Sequence, residues 1–599
     1  MQRTRIKRII CLCLVFAQTL ICVLPAFAAG TAENTGGNIY FGESLVLDAD
    51  GITRFKTLVS ELAAAQNKQK PGRLVSGVPV SFNDGDVVLS YNSRLSGDNF
   101  AVSVGQKTKY YTVSANTGGG FYYGIRYVIK RLLADGSVSA ATVKFSCPER
   151  ALMLDIGRKY YTENFLEELI RELSFLDYNT LILHFSEEMG LGIESRLYPW
   201  LAGRDGKLCT QAEIDSDGRA LTQAEILKLG RVARQYNISL IPSFDSPGHM
   251  NYIVKTFNEK AAKGSFTFDF DGRTYTVPKG CDIANYYHYN GKTAIVQGSR
   301  NTAYSRGIDI SNEIAVAFTK SLYGEYAALF RDAGATAFDM GGDELLGWGA
   351  SIKSSVPKWQ QLDNWKAKAQ KDTGSSAAVA YDCFILYMNE IYSFLKSFGY
   401  TSVRMWNDDA ERSADTGWTG AAQLDKDIEI EYWTPTANSG NNTTASYAGH
   451  GLYNCLNYFS YYVLGKGGYG GAKTSAIWKS WTPDVFSSDG TDTAEAKGFA
   501  FCVWCDRPDA ETEAQVLTNI YPMLTAMSGK AKSGEVKPGT TYAAYEKTLP
   551  GRYKANFPKG VSPTTFTELE TAANLTPFAL ALNIWALIRE FFRTMLLTK

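Results

Sequence analysis

Residues 336–349, TAFDMGGDELLGWG, set two carboxylates side by side, Asp343 and Glu344, directly behind Gly341 and Gly342. Adjacent acids are common on solvated surfaces, so the pair takes its meaning from its surroundings. Ala335 to Met340 is a short apolar run of strand type, and the two glycines permit backbone conformations and close approaches closed to larger residues. Two carboxylates on separate strands would suit a protein nucleophile facing a general acid; neighbours on one turn suit it poorly. They fit another division of labour, on a sugar that carries a 2-acetamido group. Glu344 protonates the leaving oxygen, the acetamide oxygen attacks the anomeric carbon, and Asp343 orients the acetamide and stabilises the positively charged oxazolinium.

A sugar also needs flat apolar surface for its faces and acids, amides or arginine for its hydroxyls. Residues of these kinds end a series of apolar runs: Asp155 and Arg158; His184 with Glu187 and Glu188; Asp245 and His249; Asp343 and Glu344; Trp406 and Asp408; Glu431 and Trp433; Tyr458 and Tyr461; Trp504 and Asp506. Any one of them could be a cap or loop residue, but their recurrence at every run end points to one pocket.

The elements that must position them follow from periodicity. Apolar runs cover 151–157, 180–186, 238–245, 335–341, 402–408, 428–433, 451–458 and 498–504. Amphipathic stretches of helical spacing lie between several of them (ENFLEELIRELSFL, TQAEILKLGRVARQY, NEIAVAFTKSLYGEYAALF, YDCFILYMNEIYSFLKSFG), and ETEAQVLTNIYPMLTAM follows the last. Near-continuous apolar strands separated by helices predict a parallel sheet, and eight of them predict a (β/α)₈ TIM barrel over 149–530, with an open doubly wound sheet as the alternative. Active sites of this barrel gather at the C-terminal strand ends, where the polar residues lie. Residues 31–148 alternate as strands and then read NTGGGFYYGIRYVIKRLLADG, a glycine-punctuated helix start, which predicts a small α+β domain. The polar, glycine-rich segments 434–450 and 465–473 predict loops beside the seventh strand.

Composition bounds the rest. With 45% hydrophobic and 20% charged residues the 599-residue chain is expected to be globular, and a net charge of +0 without a basic patch gives nucleic acid no footing. Residues 1–28 combine a basic start, an apolar core and Ala26-Phe27-Ala28, the pattern of a secretory signal peptide, so a secreted or cell-surface protein is expected. The remaining cysteines, Cys147, Cys209, Cys281, Cys383, Cys455, Cys502 and Cys505, are odd in number and scattered, which is no disulfide framework. Cys502 and Cys505 form a C-x-x-C inside an apolar run, read as buried strand cysteines; no metal or cofactor is expected. Within the extension 531–599, the apolar tail has a charge-free core, Leu575 to Ile588, too short to span a bilayer, and reads as a helix packed on the barrel or, as the second reading, associated with the cell surface.

TAFDMGGDE resembles the H-x-G-G-D-E signature of glycoside hydrolase family 20, the β-N-acetylhexosaminidases and lacto-N-biosidases. The likeness runs from about Asn99 to Met527: NTGGGFYYGIRYVI is similar to the end of the family's α+β domain, RALMLDIGRKY to its first barrel strand, and LILHFSEEMGLGIESRLYPWL, LIPSFDSPGHM, VRMWND and FCVWCDRP to the second, third, fifth and eighth. The resemblance implies Glu344 as general acid and base and Asp343 as the acetamide-orienting residue. It places Arg158 and Asp506 on sugar hydroxyls and Trp406, Trp433 and Trp504 around the acetamide and ring. Tyr458 or Tyr461 meets the acetamide oxygen, His249 forms a relay with Glu344 and an acid of the second loop, and Glu187 is counted with the substrate-binding set.

The chain departs from the pattern in places. Asp339 stands where most members have histidine, Ser243 where glutamate precedes Phe-Asp, Gly192 at a frequent arginine, and Glu187-Glu188-Met189 where Asp-Asp-Gln is usual. The expected partner is an oligosaccharide or glycoconjugate, and the expected reaction removes β-linked N-acetylhexosamine with retention. Alternatives are a lacto-N-biosidase, favoured by SRGIDISNEIAVAFTKSLYGEY and VRMWNDDAERS, which look closer to the bacterial branch, and a sugar-binding barrel without turnover.

Overall fold

A computed structural model describes residues 34–571 apart from 43–44, 202–219, 297–304, 347–350, 412–416, 419, 438–439, 469–472 and 563–569. The leader, Cys209 and the apolar tail lie outside the described residues. From Glu149 the chain forms the expected barrel. Its eight strands are Glu149–Asp155, Thr180–His184, Ser239–Ser243, Ala337–Asp339, Ser402–Trp406, Glu429–Tyr432, Leu452–Asn454 and Gly498–Trp504. All pair in parallel and in sequence order, and the eighth closes on the first from Gly498↔Glu149 to Val503↔Leu154. An open sheet is thereby ruled out.

Each predicted amphipathic stretch is a helix: Glu163–Phe175, Gln223–Gln235, Glu313–Asp332, Ala380–Ser397 and Glu513–Lys530. Local chemistry starts them, since Thr162, Thr222 and Thr512 each accept a hydrogen bond from the backbone three residues on. Their apolar stripes, with Leu166, Leu169, Ile170 and Leu173 in the first, bury against the strands' outer faces. The interior holds a separate small core of Ala151, Met153, Ile182, Ile241, Ala337, Ala500 and Cys502. Among the described residues no α-helix follows the fifth or sixth strand, so this side of the barrel is walled by loops.

The seventh strand is split. Leu452–Asn454 pairs with the start of the eighth strand, the chain turns through a short helix at Asn457–Ser460, and Tyr461–Val463 pairs with the end of the same strand, Tyr461 opposite Cys502. Before the barrel, six strands (39–41, 74–76, 87–91, 100–104, 111–115, 141–145) and helices Ala49–Ala65 and Gly118–Asp135 form the α+β unit. A Cβ on Gly124 would sit 2.2 Å from Val113 Cγ1, so that glycine lets the second helix lie close on the sheet. Residues beyond 531 return to this unit. Lys532–Ser533 adds an antiparallel edge strand to Ala141–Phe145, and Tyr553 donates to Glu61 at 3.0 Å.

Candidate active site

The turn after the fourth strand explains the paired glycines. Gly341 has φ +72° and a Cβ there would lie 2.6 Å from Asp245 Oδ1; Gly342 has φ +95°. Glu344 itself has φ +39°, a conformation a side chain resists and that neighbours must hold. They are supplied by the fifth strand's end: Asp408 accepts the Glu344 N–H at 2.9 Å and Asp409 the Leu345 N–H at 3.1 Å. Asp408 also accepts the Trp433 indole N–H at 3.0 Å, and Asn407 accepts the Trp433 backbone N–H at 2.9 Å. Asn407 and Asp409 were legible only as part of a motif, without a role.

Both carboxylates reach one histidine. His249 Nε2 lies 3.3 Å from Asp343 and 3.5 Å from Glu344 Oε2, while Nδ1 is 3.1 Å from Glu187 Oε2. Glu187 is 2% exposed, and its oxygens are engaged by Arg158 at 2.5 Å, His249 and the Glu188 N–H. In the structure it is thus held by His249 and Arg158. Arg158 is held by Asp155 at 2.8 Å and Glu187, with Asp506 adding a third negative charge nearby.

Arg306 was not anticipated. It comes from the insertion after the third strand, is 1% exposed, and places Nη2 at 2.6 Å from both Glu344 Oε2 and His249 Nε2, with Nη1 3.3 Å from Glu188. Burial and the Arg306 charge oppose protonation of His249, but Glu187 and Asp343 raise it well above the ordinary imidazole value, so the ring is a cation that faces Glu187 through Nδ1 and the acid pair through Nε2. In sequence Arg306 sits in SRGID and carries no local signal beyond an ordinary charge.

Charge distributes unevenly over the pair. Burial, with Glu344 and Glu187 nearby, pushes Asp343 up to about 6 against the pull of His249 and Arg306. Burial acts on Glu344 in the same direction, but His249 and Arg306 beside its Oε2 outweigh it and bring that carboxyl down to about 2. A single proton shared by the free pair therefore resides on Asp343. Burial also pushes Asp245 and Asp408 well above the carboxylate range.

Two departures from the family pattern prove to be one. Ser243 and Asp339 are cross-strand neighbours, and the serine hydroxyl donates to the aspartate carboxylate. His184 Nδ1 lies 2.9 Å from the same hydroxyl, and its Nε2 lies 3.5 Å from Glu187 and 3.4 Å from Asp245. Burial opposes a charge on this ring, but Asp245 and Glu187 raise it to about 9. His184, Glu187 and Asp245 bring ligand atoms within 4.8 Å, the sole such group among the described residues. Because Arg158 already neutralises Glu187 and His184 carries its own positive charge, they fit an ion-paired cluster better than a cation site. The C-x-x-C cysteines part ways: Cys502 faces the barrel interior, while Cys505 lies 3.3 Å from the Tyr161 hydroxyl in the outer core.

Aromatic rings form the opposite wall. Trp433 stacks on Tyr461 (5.9 Å, 6°), Tyr461 meets Trp504 edge-on at 5.4 Å, and Trp504 lies 6.0 Å from Trp406. Tyr458 does not join them; it is 37% exposed and packs on Phe459. Of the two tyrosines left open by spacing, Tyr461 is thus the one in the pocket. Asp343 Oδ1 and the indole N–H groups of Trp406 and Trp504 are buried with no hydrogen bond among the described residues, an arrangement suited to a polar ligand.

Comparison with known proteins agrees with this geometry. The chain is 25% identical over 308 residues to a β-hexosaminidase subunit A1 of Dictyostelium discoideum, covering 50% of this chain and 45% of that one. It is 29% identical over 201 residues to a lacto-N-biosidase of Bifidobacterium bifidum, covering 34% of this chain and 13% of that one. It thus spans about half or less of the length of these relatives. The fold matches a GH20 β-N-acetylhexosaminidase of Streptomyces coelicolor A3(2) with a TM-score of 0.58 at 15% identity, over 90% of this chain and 94% of that one. Residues 148–533 match the profile of the glycosyl hydrolase family 20 catalytic domain, which takes in every barrel strand and every residue of the pocket, and the chain belongs to that family.

Proposed function

We propose that the protein is an exported β-N-acetylhexosaminidase that cleaves terminal β-linked N-acetylglucosamine or N-acetylgalactosamine with net retention. The observation that carries this reading is the convergence of Asp343 and Glu344 on one imidazole nitrogen from a single turn, facing a wall of three tryptophans and Tyr461. Acids that approach from one side leave the anomeric carbon to the substrate's own acetamide. In this reading the acetamide N–H bonds to Asp343, favours its ionised form and hands the shared proton to Glu344. Glu344 then delivers it to the leaving oxygen as the acetamide oxygen bonds to C1. Water opens the resulting oxazolinium while Glu344 takes a proton back.

The test is proton NMR of the first sugar released from a β-N-acetylglucosaminide: the β anomer is expected, and an α anomer would overturn the substrate-assisted route. A second reading, release of a disaccharide, is favoured by the 29% identity to a lacto-N-biosidase. Aryl β-N-acetylglucosaminide, β-N-acetylgalactosaminide and β-lacto-N-bioside offered side by side separate the two. Export rests on residues 1–28, and a mature chain that retains them would remove it.

A further inference from the structure

Resting on that reading, we propose that Arg306 is the positioning residue of the acid–base step: together with His249 it holds Oε2 of Glu344 and leaves Oε1 as the oxygen that carries the proton. The guanidinium meets Oε2 at 2.6 Å and the imidazole lies 3.5 Å from the same atom, whereas Oε1 makes no hydrogen bond among the described residues and the side chain is 27% exposed. One oxygen is bound by protein and the other is left to a substrate.

The placement is built, not incidental. The Arg306 carbonyl accepts the Met250 N–H at 2.8 Å and its own N–H donates to Val296 at 2.7 Å. The next residue, Gly307, lies so close to Pro247 that a Cβ would come within 2.2 Å of the Pro247 carbonyl. The insertion therefore returns against the same turn that carries His249, and its arginine cannot drift without moving the histidine. Were Arg306 only a counter-ion for the extra length of Glu188, its shortest contact would be with that residue; instead Glu188 is 3.3 Å away and Glu344 2.6 Å.

The charged groups that face Glu344 among the described residues come from four elements. Asp343 lies on its own turn, Glu187 and Glu188 on the loop after the second strand, His249 and Arg306 after the third, and Asp408 at the end of the fifth. Of these, only Arg306 and His249 favour the ionised carboxylate. Arg306 thus favours Glu344 as the base of the second step and makes protonation the demanding event of the first. A side chain that loses the charge should raise the Glu344 carboxyl, and because the first step needs the acid form, activity should persist to higher pH.

The experiment is a pH profile of kcat/KM on an unactivated glycoside for the wild type, Arg306→Gln and Arg306→Lys. Expected is a basic limb displaced upward by roughly one to three pH units in the glutamine variant, the usual effect of removing one adjacent opposite charge, and held near its wild-type position in the lysine variant. A purely structural role would lower the profile without displacing it. A readout independent of turnover is difference infrared titration against Glu344→Gln. The Glu344 carboxylate band should survive in the wild type to below about pH 4, the ordinary glutamate range, and be lost at higher pH in Arg306→Gln. An unmoved limb with an unmoved band overturns the proposal. Should the glutamine variant not fold, a wild-type Glu344 that takes up its proton above the ordinary range overturns it alone. Absence of glycosidase activity would sink the proposed function, while the infrared titration would still decide the role of Arg306.

Discussion

Two buried ionic networks in this chain follow opposite rules. At the seam between the α+β unit, the barrel and the returning segment, Asp177 accepts from Lys130 at 2.7 Å and Lys532 at 2.5 Å, and Lys532 also meets Glu535 at 2.6 Å. Two ammonium groups face two carboxylates; burial alone would push Asp177 up, but the lysines hold it well below the ordinary value. At the barrel mouth acids outnumber cations, Asp343 is pushed up to about 6, and buried polar atoms of Asp343, Trp406 and Trp504 have no hydrogen-bond partner among the described residues. The seam is complete within the protein, whereas the mouth is complete only with something added. Burial of charge by itself therefore says nothing about function; the balance of partners does.

This contrast can be broken at either network. The largest effect is expected from Glu344→Gln: kcat/KM on unactivated glycosides should fall by about 10²–10⁴, with a smaller loss on activated aryl glycosides and an unfolding midpoint close to wild type. A loss of stability comparable with the loss of activity would erase the distinction. Asp177→Ala should do the reverse, costing about 3–5 kcal/mol in urea unfolding by stranding the buried Lys130 and leaving Lys532 to Glu535 alone while activity per folded molecule is kept.

The seam also has a pH signature. The Asp177 carboxyl is depressed in the fold, so its contribution is full above the unfolded value near about 4 and drains away as pH falls below it. Acid unfolding should accordingly be less steep in Asp177→Asn than in the wild type; equal slopes would remove Asp177 from the account. The smallest effect sharpens the mouth. Tyr461→Phe should cost roughly tenfold to a hundredfold in kcat/KM, the worth of one hydrogen bond to a charged or charging group, and Tyr458→Phe almost nothing. Equal losses would contradict the assignment of Tyr461 to the pocket.

Much of the barrel was legible because its signals are local. Apolar runs such as 180–186 and the amphipathic stretches between them announce themselves within a dozen residues. So did the acids and tryptophans at strand ends, since strand direction alone places them at the mouth. What escaped depends on contacts distant in sequence. Lys130, Asp177 and Lys532 carry no shared pattern, and 531–560 looked like an appendage until Lys532–Ser533 was seen to complete the first sheet. Ser243 and Asp339 read as two separate departures because nothing in one chain reveals that they are cross-strand neighbours. Tyr458 and Tyr461 could not be separated by spacing, since the four-residue helix that carries Tyr458 and ends just before Tyr461 decides which one turns inward. Arg306 was hidden by the same logic: an arginine in a long insertion looks like a surface residue until the insertion folds back.

The split seventh strand bears on how such a protein can change over evolutionary time. Tyr461 and Trp504 belong to directly paired strands, Tyr461 opposite Cys502 and Val463 opposite Trp504, so the aromatic wall of the pocket is carried by sheet hydrogen bonds. Of the flanking segments, Thr436–Ala437 pairs with Gly440–Asn441 outside that ladder, while Gly467–Gly468 extends it as an antiparallel strand on Tyr461–Val463. Insertions or exchanges beyond the ladder can remodel the rim of the pocket while the aromatic wall stays fixed. Recognition of the end residue and of the rest of the glycan can then be inherited as separate modules, and a lineage can acquire new glycans without rebuilding its catalytic turn.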